Sequence, residues 1–241
     1  SAAWARGSYQ HLPAERLPLA LADLHRTLCF DAPISVKVTS NRLSDQPWVD
    51  PIGTRHFERW DRTRLADVVV GAGFVVAEID DDGTQWLTVR ARRARTLADV
   101  VGPGMRLLVV GLNPSLYAAD WGISFARPGN RFWPALLAAG LASRDRDPLD
   151  ALRSHGIGFT DLVKRATARA DELTADEYVC GAARIERLID WLAPEVVCFA
   201  GLSGYRDAVD RRAGVGWQRD RFGGRATYVM ANPSGVNAHT N

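Results

Sequence analysis

Short apolar runs alternate regularly with amphipathic segments in the carboxyl-terminal part of the chain, and this alternation constrains the fold more than any other feature. The apolar runs predict buried strands, the second of them a short strand or turn, at residues 106–111, 158–162, 196–200 and 227–231. The amphipathic segments predict helices at residues 131–140, 174–192 and 203–212. Strands that alternate with helices form a mostly parallel sheet covered on both faces, so we predict a three-layer α/β/α domain.

The longest predicted helix carries its own start and stop signals. Thr174 and Glu177 have the spacing of a capping box, in which each side chain binds a backbone N–H of the first turn. Pro194 then stops the helix. Its apolar stripe consists of Ile185, Leu188, Ile189 and Leu192.

The amino-terminal part predicts a smaller, partial α/β segment at residues 1–95. Helices are predicted within residues 9–30 and at 65–71, and strands at 34–39, 74–79 and 86–91, the last two joined across residues 80–84. Residues 53–63 are interpreted as an aromatic loop, and residues 90–95 as a basic connector to a domain at residues 99–241.

Composition excludes some classes of protein but selects none. Hydrophobic residues make up 46% and charged residues 24% of the chain, values typical of globular proteins and not of disordered or fibrous ones. The formal net charge is +2, and residues 99–241 contain 17 basic and 16 acidic side chains, so charge gives no argument for a nucleic-acid partner.

The three cysteines predict neither a metal site nor a disulfide. Cys29, Cys180 and Cys198 are scattered without CxxC or Cys/His ligand spacing, which favours a reducing compartment. No run approaches the roughly 20 apolar residues of a membrane span, and no secretory signal opens the chain. We therefore expect a cytoplasmic, nucleoid-associated protein that binds no membrane and needs no cofactor.

Two loops that contain Asn-Pro follow predicted strands. Residues 111–115 read Gly-Leu-Asn-Pro-Ser, and residues 232–237 read Asn-Pro-Ser-Gly-Val-Asn. An Asn-Pro pair alone often begins a turn, and Gly235 alone would explain the second loop as a turn. Ligands bind at the carboxyl ends of parallel strands, however, so two such loops at one sheet edge indicate a functional site.

Three stretches together resemble the mismatch-specific uracil DNA glycosylase family, which includes the thymine DNA glycosylases of animals. They are GLNPSLYAADWGISFARPGNRFWPALLAAG at 111–140, GIGFTDLVKRATARADELTADEY at 156–178 and NPSG at 232–235. Their order and spacing extend the resemblance over residues 99–241. It implies a uracil-DNA-glycosylase-like fold and a monomeric enzyme acting on double-stranded DNA that contains uracil or a mismatch.

The resemblance also implies roles for residues in the first two stretches. Asn113 would hold the water that attacks the sugar, while Gly111, Leu112, Phe125 and Asp161 would line the pocket for the flipped base. Backbone N–H groups near Leu112, Asn113 and Phe125 would stabilise the departing base anion. The alternative for Phe125 is a core phenylalanine. Asp161 stands where relatives carry lysine or asparagine.

The third stretch corresponds to the loop that the family inserts into DNA. The loop residues Asn232, Ser234, Gly235, Val236 and Asn237 are implied to contact DNA, with Val236 as the wedge that fills the space of the flipped nucleotide and Ser234 near a phosphate. Valine is smaller than the usual wedge, which predicts a weaker mismatch preference. His239 follows the wedge, and its alternatives are a surface role or a phosphate contact.

Asp120, Asp171 and His155 are further polar candidates outside these motifs. Either aspartate could supply a base, but each lies in a polar stretch and is interpreted as a solvated turn residue. His155 is interpreted as a surface or structural residue.

The sequence thus predicts a monofunctional glycosylase that excises uracil from G:U pairs by base flipping in base excision repair, with thymine in G:T pairs left open.

Residues 1–95, with WARGSYQHLPAERLPLALADLHRTL and RLADVVVGAGFVVAEI, resemble the back half of a class I S-adenosylmethionine-dependent methyltransferase without its glycine-rich cofactor loop. Two alternatives follow: a methyltransferase fusion fragment, and a non-catalytic DNA-binding module. Because the chain begins at Ser1 and ends at Asn241, we expect both ends to be cut and a carboxyl-terminal helix to be missing.

Overall fold

The computed structural model describes residues 1–41 and 57–234. The chain divides into two compact units, Ser1–Ala94 and Arg95–Asn241.

The first unit is built on a mixed sheet. Its strands are β1 (Ala3–Arg6), β2 (Pro33–Ser40), β3 (Arg59–Trp60), β4 (Phe74–Asp81) and β5 (Trp86–Arg93). Its α-helices are α1 (Leu17–Thr27) and α2 (Arg62–Gly71). The strand order is β1-β2-β5-β4 with β3 also on β2, and β5 pairs antiparallel with both neighbours.

Three details of the first unit differ from the sequence prediction. Residues 90–95 were interpreted as a connector, but β5 continues to Arg93, which pairs with Phe74. The predicted loop at 53–63 contains β3 and the start of α2, where the Asp61 side chain accepts from Arg64 N and caps the helix, while residues 53–56 lie outside the described ranges. The short strand β1 was not predicted, since four residues carry little periodicity.

The second unit has the predicted α/β alternation. Its strands are β6 (Leu107–Gly111), β7 (Ile157–Asp161), β8 (Val196–Ala200), β9 (Gly216–Trp217) and β10 (Ala226–Met230). Its helices are α3 (Leu116–Trp121), α4 (Phe132–Ala138), α5 (Pro148–His155), α6 (Ala175–Leu192) and α7 (Leu202–Ala208). The sheet order is β7-β6-β8-β10-β9, parallel throughout except for the pair of β10 with β9. The prediction of a mostly parallel α/β domain is confirmed.

Helix α6 begins and ends where its sequence signals predicted. The Thr174 side chain accepts from Glu177 N, and the Glu177 side chain accepts from Thr174 N, so the capping box is present. Ala193 ends the helix in a left-handed conformation directly before Pro194. Helices α3 and α5 were not predicted.

The core of the second unit includes β7, the first strand in the order of its sheet. All five residues of β7 are buried, as expected for a strand covered on both faces. Phe132 and Trp133 of α4 pack against Phe159 of β7, with ring centroids 6.1 and 5.5 Å from it. This aromatic cluster joins α4 to the strand that ends at Asp161.

Helix α6 approaches the end of β7 very closely at Gly181. A Cβ at this position would collide with the backbone carbonyl of Leu162, the residue directly after β7. Only glycine therefore allows this helix to reach the strand end.

We expect Gly181→Ala to lower the free energy of unfolding by about 2 kcal/mol, because a backbone carbonyl cannot rotate away as a flexible side chain can. Urea unfolding of the whole chain measures the change. Gly214→Ala is the matched control, since nothing lies within 4 Å of its Cβ position. Equal stability of the two variants would contradict the close packing inferred for α6.

Candidate active site

The two Asn-Pro loops lie at the same edge of the second sheet. Strands β6, β7, β8 and β10 run parallel, so their carboxyl ends share one edge. Asn113 follows the end of β6, and Asn232 follows the end of β10. Arg131 N, just before α4, donates to Pro233 O over 3.0 Å, which ties the segment between α3 and α4 to the second loop.

The side-chain amide of Asn113 is held in one orientation. Its Nδ2 donates to Thr167 Oγ1 at 2.8 Å, to Arg165 O at 3.0 Å and to Pro114 O at 3.3 Å. Two of these partners are carbonyl oxygens, which only accept, so the NH₂ group must face them and Oδ1 must face away. Within the described ranges, Oδ1 accepts no hydrogen bond from the protein.

Backbone hydrogen bonds also join the loop of Asn113 to the segment after β7. Leu162 N donates to Gly111 O, Val163 N to Leu112 O, and Thr167 N to Pro114 O, over 2.8, 2.9 and 3.2 Å. The two strands therefore stay paired beyond their ends, and Asn113 projects from a braced loop.

Arg165 is fixed in turn by the first turn of α6. Its guanidinium binds both carboxylate oxygens of Glu177, at 2.6 and 2.8 Å, and donates to Glu172 O. The hydrogen bond from Arg165 lowers the pKa of Glu177 to about 2, so this carboxylate is charged at all ordinary pH values. The capping box thus also anchors the residue whose carbonyl receives the Asn113 amide.

Phe125 lies in the irregular segment between α3 and α4 and not in the core. It is half-buried, and its φ of 57° is in the left-handed region, which costs a phenylalanine of order 1 kcal/mol. One face of its ring stacks on Phe132, with centroids 4.1 Å apart. Trp133 Nε1 donates to Ser124 O and holds the segment in place.

Asp161 lies beside Gly111 and Phe125. A Cβ at Gly111 would collide with Asp161 Oδ1 and would lie 3.7 Å from Phe125 Cζ. The missing side chain of Gly111 therefore leaves the space in which the carboxylate and the ring meet. Burial raises the pKa of Asp161 to about 6, although Lys164 acts in the opposite direction.

Leu112 packs on the other side of the loop, against α7. A Cβ at Gly204 would lie only 2.5 Å from Leu112 Cδ1. Gly111, Asp161 and the Phe125 ring therefore meet at the sheet edge, on or beside the loop that also carries Leu112 and Asn113.

A buried charge cluster supports the end of β7. Asp99 binds Lys164 Nζ and Arg184 Nη1, each at 2.8 Å, and accepts from Thr160 Oγ1 at 2.7 Å. Arg184 Nη2 also donates to Asp161 O at 2.9 Å. Burial acts to raise the pKa of Asp99, but Arg184 and Lys164 outweigh it and hold that pKa below its usual range.

Only part of the second Asn-Pro loop can be described. Asn232 Oδ1 accepts from Ser234 N at 3.0 Å and forms a tight turn. The predicted loop residues Gly235, Val236 and Asn237, together with His239, lie outside the described residues.

The interpretation of Asp120 as a turn residue was wrong. It lies on α3 and binds Arg95 through two hydrogen bonds, which occupy its carboxylate. Asp171 is exposed in the short 3-10 turn Ala170–Glu172 and pairs with Arg169. His155 ends α5 at the surface, with Nε2 3.0 Å from Ser143 Oγ.

Sequence reasoning missed four residues that organise the site: Asp99, Lys164, Thr167 and Arg184. Thr167 and Lys164 lie inside the stretch 156–178, but no local pattern distinguishes them from other polar residues. Asp99 and Arg184 are 85 positions apart, so no periodicity connects them.

The described residues contain neither a membrane-spanning helix nor a cluster of metal ligands. None of its helices combines the length and apolar character needed to cross a bilayer. No three His, Cys, Asp or Glu side chains of residues 1–41 and 57–234 gather where they could hold a metal ion.

Comparison with known proteins connects the site to a family. The sequence profile of the uracil DNA glycosylase superfamily matches residues 98–241. A solved structure, Burkholderia thailandensis 1,6-didemethyltoxoflavin-N1-methyltransferase with bound 1,6-didemethyltoxoflavin and S-adenosylhomocysteine, matches with 20% identity and a TM-score of 0.32. That match covers 39% of this chain and 43% of the methyltransferase, so this chain spans less than half of its length. A structural similarity this low does not establish a shared fold, so the methyltransferase resemblance of residues 1–95 stays a prediction.

We expect Arg184→Met to lower the free energy of unfolding by about 3 to 5 kcal/mol, because it leaves the buried Asp99 with one cation fewer. Arg169→Met is the control, since it breaks an ion pair that is exposed on both sides and is expected to leave stability nearly unchanged. Denaturant unfolding compares the two variants. A similar loss of unfolding free energy in both variants would show that the buried ion pair contributes no more to stability than the exposed one.

Proposed function

The chain belongs to the uracil DNA glycosylase superfamily, and on that premise we propose that it is a monofunctional glycosylase that hydrolyses the N-glycosidic bond of uracil in double-stranded DNA. The product is an abasic site, which enters base excision repair. The orientation of the Asn113 amide carries this proposal, because its Nδ2 is bound by three protein acceptors and its Oδ1 is left for a water.

Asn113 Oδ1 accepts a hydrogen bond from the attacking water and directs the oxygen toward C1′ of the sugar. An amide is too weak a base to remove the proton, but the reaction does not need a strong base. The sugar becomes cation-like as the bond breaks, and a correctly placed water suffices for such a centre. Thr167 acts as a positioning residue, since its hydroxyl accepts from Asn113 and donates to Arg169 O at 2.8 Å.

The base enters the site only after its nucleotide leaves the duplex, which costs a few kcal/mol of stacking and pairing. Phe125 repays part of this cost by stacking on the base with the ring face that does not contact Phe132. Gly111 and Leu112 line the same pocket, and the Asp161 carboxyl group lies at its floor.

The hydrolysis balances without a cofactor. The bond between C1′ and N1 of the base breaks, and N1 takes the electron pair. The water oxygen bonds to C1′ and releases one proton to solvent, and the departing uracil anion takes up a proton from solvent. Backbone N–H groups around Leu112, Asn113 and Phe125 stabilise the anion while it forms.

Contact with DNA comes from loop geometry more than from charge, since the chain carries a formal net charge of only +2. The loop that begins at Asn232 enters the minor groove, with Val236 as the wedge and Ser234, Gly235 and Asn237 beside it. Its link to Arg131 N couples the loop to the segment that carries Phe125. Uracil opposite guanine is the favoured substrate, and the protein acts as a monomer.

We expect Asn113→Ala to lower uracil excision at least about 100-fold while duplex binding is kept, because the water loses its acceptor but the DNA contacts remain. Single-turnover assays on a G:U duplex, with binding measured by fluorescence anisotropy, test this. The exposed Asn41→Ala in the first unit is the control and should excise at the wild-type rate. Full excision by Asn113→Ala would overturn the proposed mechanism.

We expect Thr167→Val to lower kcat about fivefold with little change in KM, since the variant keeps the shape but loses a hydrogen bond worth about 1 kcal/mol to the Asn113 amide. Thr167→Ser keeps the hydroxyl and should restore most of the rate. A purely structural role would instead lower the melting temperature without separating kcat from KM, and serine would then show no specific rescue.

A further inference from the structure

Two carboxylates are buried among the described residues of the second unit, Asp99 and Asp161, and they are compensated very differently. Asp99 receives hydrogen bonds from Lys164, Arg184 and Thr160. The Asp161 carboxylate receives none within the described ranges. Lys164 Nζ lies 4.0 Å from its Oδ2, because that ammonium group is bound to Asp99 at 2.8 Å. Asp99 therefore takes both cations, and Asp161 is left with a weak contact.

The uncompensated carboxylate is also the one that borders the proposed base pocket. Asp161 Oδ1 lies in the space left open by Gly111, next to the edge of the Phe125 ring. A base that stacks on Phe125 in this pocket meets the Asp161 carboxyl group with its polar edge.

The proton on Asp161 decides which base edge fits. A neutral carboxylic acid has one donor and one acceptor, which match O4 and N3–H of uracil as an amide would. A carboxylate has acceptors only, so it can accept from N3–H but leaves uracil O4 without a donor. It also repels the negative charge that uracil carries when it leaves. The same carboxylate accepts well from an exocyclic amino group such as N4 of cytosine.

We propose that Asp161 selects the base by its protonation state, so that its neutral form accepts uracil and its carboxylate form favours a base with an exocyclic amino group. This inference rests on the proposed glycosylase function and specifies the substrate of that same pocket.

The charges around Asp161 set the pH range of the selection. Lys164 in the following loop and Arg184 on α6 favour the carboxylate, whereas Asp99 in the segment before β6 opposes it, and the facing Gly111 and Phe125 carry no charge. Burial outweighs these charges and raises the pKa of Asp161 to about 6. The neutral form is thus abundant below this pH and falls about tenfold for each pH unit above it.

The first test follows uracil excision from a G:U duplex between pH 5 and pH 8. We expect wild-type kcat/KM to fall roughly tenfold per pH unit above about 6. Asp161→Asn keeps a donor and an acceptor at every pH and should remove this decline. Asp171→Asn makes the same change at an exposed residue and should keep the wild-type profile. Identical profiles for wild type and Asp161→Asn would overturn the inference.

The second test needs no catalysis and so separates the two proposals. Duplexes with 2′-fluoro-2′-deoxyuridine or 2′-fluoro-2′-deoxycytidine opposite guanine are bound to the inactive Asn113→Ala protein at pH 5 and pH 8. We expect the ratio of the two Kd values to shift at least about tenfold toward cytidine at pH 8, and to stay constant when Asp161→Asn is added.

Each outcome of these tests is decisive. Absence of uracil excision at every pH would refute the proposed function, while a shifted binding ratio would still support selection by Asp161. A constant ratio in the protein that keeps Asp161 would overturn the inference even if uracil is excised. Should Asp161→Asn fail to fold, as a thermal melt would show, the binding ratio with Asp161 present still decides.

Discussion

The hydrogen bonds that continue the pairing of β6 and β7 beyond their last residues support the whole candidate site. Parallel strands usually separate at their ends, but here Val163 N binds Leu112 O and Thr167 N binds Pro114 O. The loop of Asn113 is thereby braced along its length, and its amide finds two acceptors on the neighbouring segment. A site that must place one water benefits from such rigidity, because small displacements of a reacting group are costly.

The same bracing has an electrostatic consequence. The braced segment carries Lys164, which with Arg184 of α6 forms a pair of largely buried cations that a buried carboxylate must compensate. Asp99 meets this need with good hydrogen-bond geometry. Asp161, at the end of β7, then has no donor of its own among residues 1–41 and 57–234. The rigidity around Asn113 and the weak compensation of Asp161 therefore have one structural origin.

Local patterns were sufficient for much of the fold and insufficient for the short elements. Strand β8 was predicted with its observed bounds because its five residues form one continuous apolar run, and α6 because its capping box lies in the sequence. Helices α3 and α5, of six and eight residues, were not predicted, although the seven-residue helices α4 and α7 were. Helices α3 and α5 begin directly after Ser115 and Asp147, whose side chains cap their first turns.

The residues of the candidate site could also be predicted only in part from the sequence. Asn113 and Asp161 could be proposed from sequence because the stretches that contain them resemble motifs of the glycosylase family. The residues that orient them could not, since the contacts of Asp99 with Lys164 and Arg184 span 65 and 85 positions. A motif shows which side chains face the substrate, whereas their orientation and charge depend on distant residues. The charge state of Asp161 therefore depends on more than its local sequence, because Asp99 already binds the cations that would neutralise it.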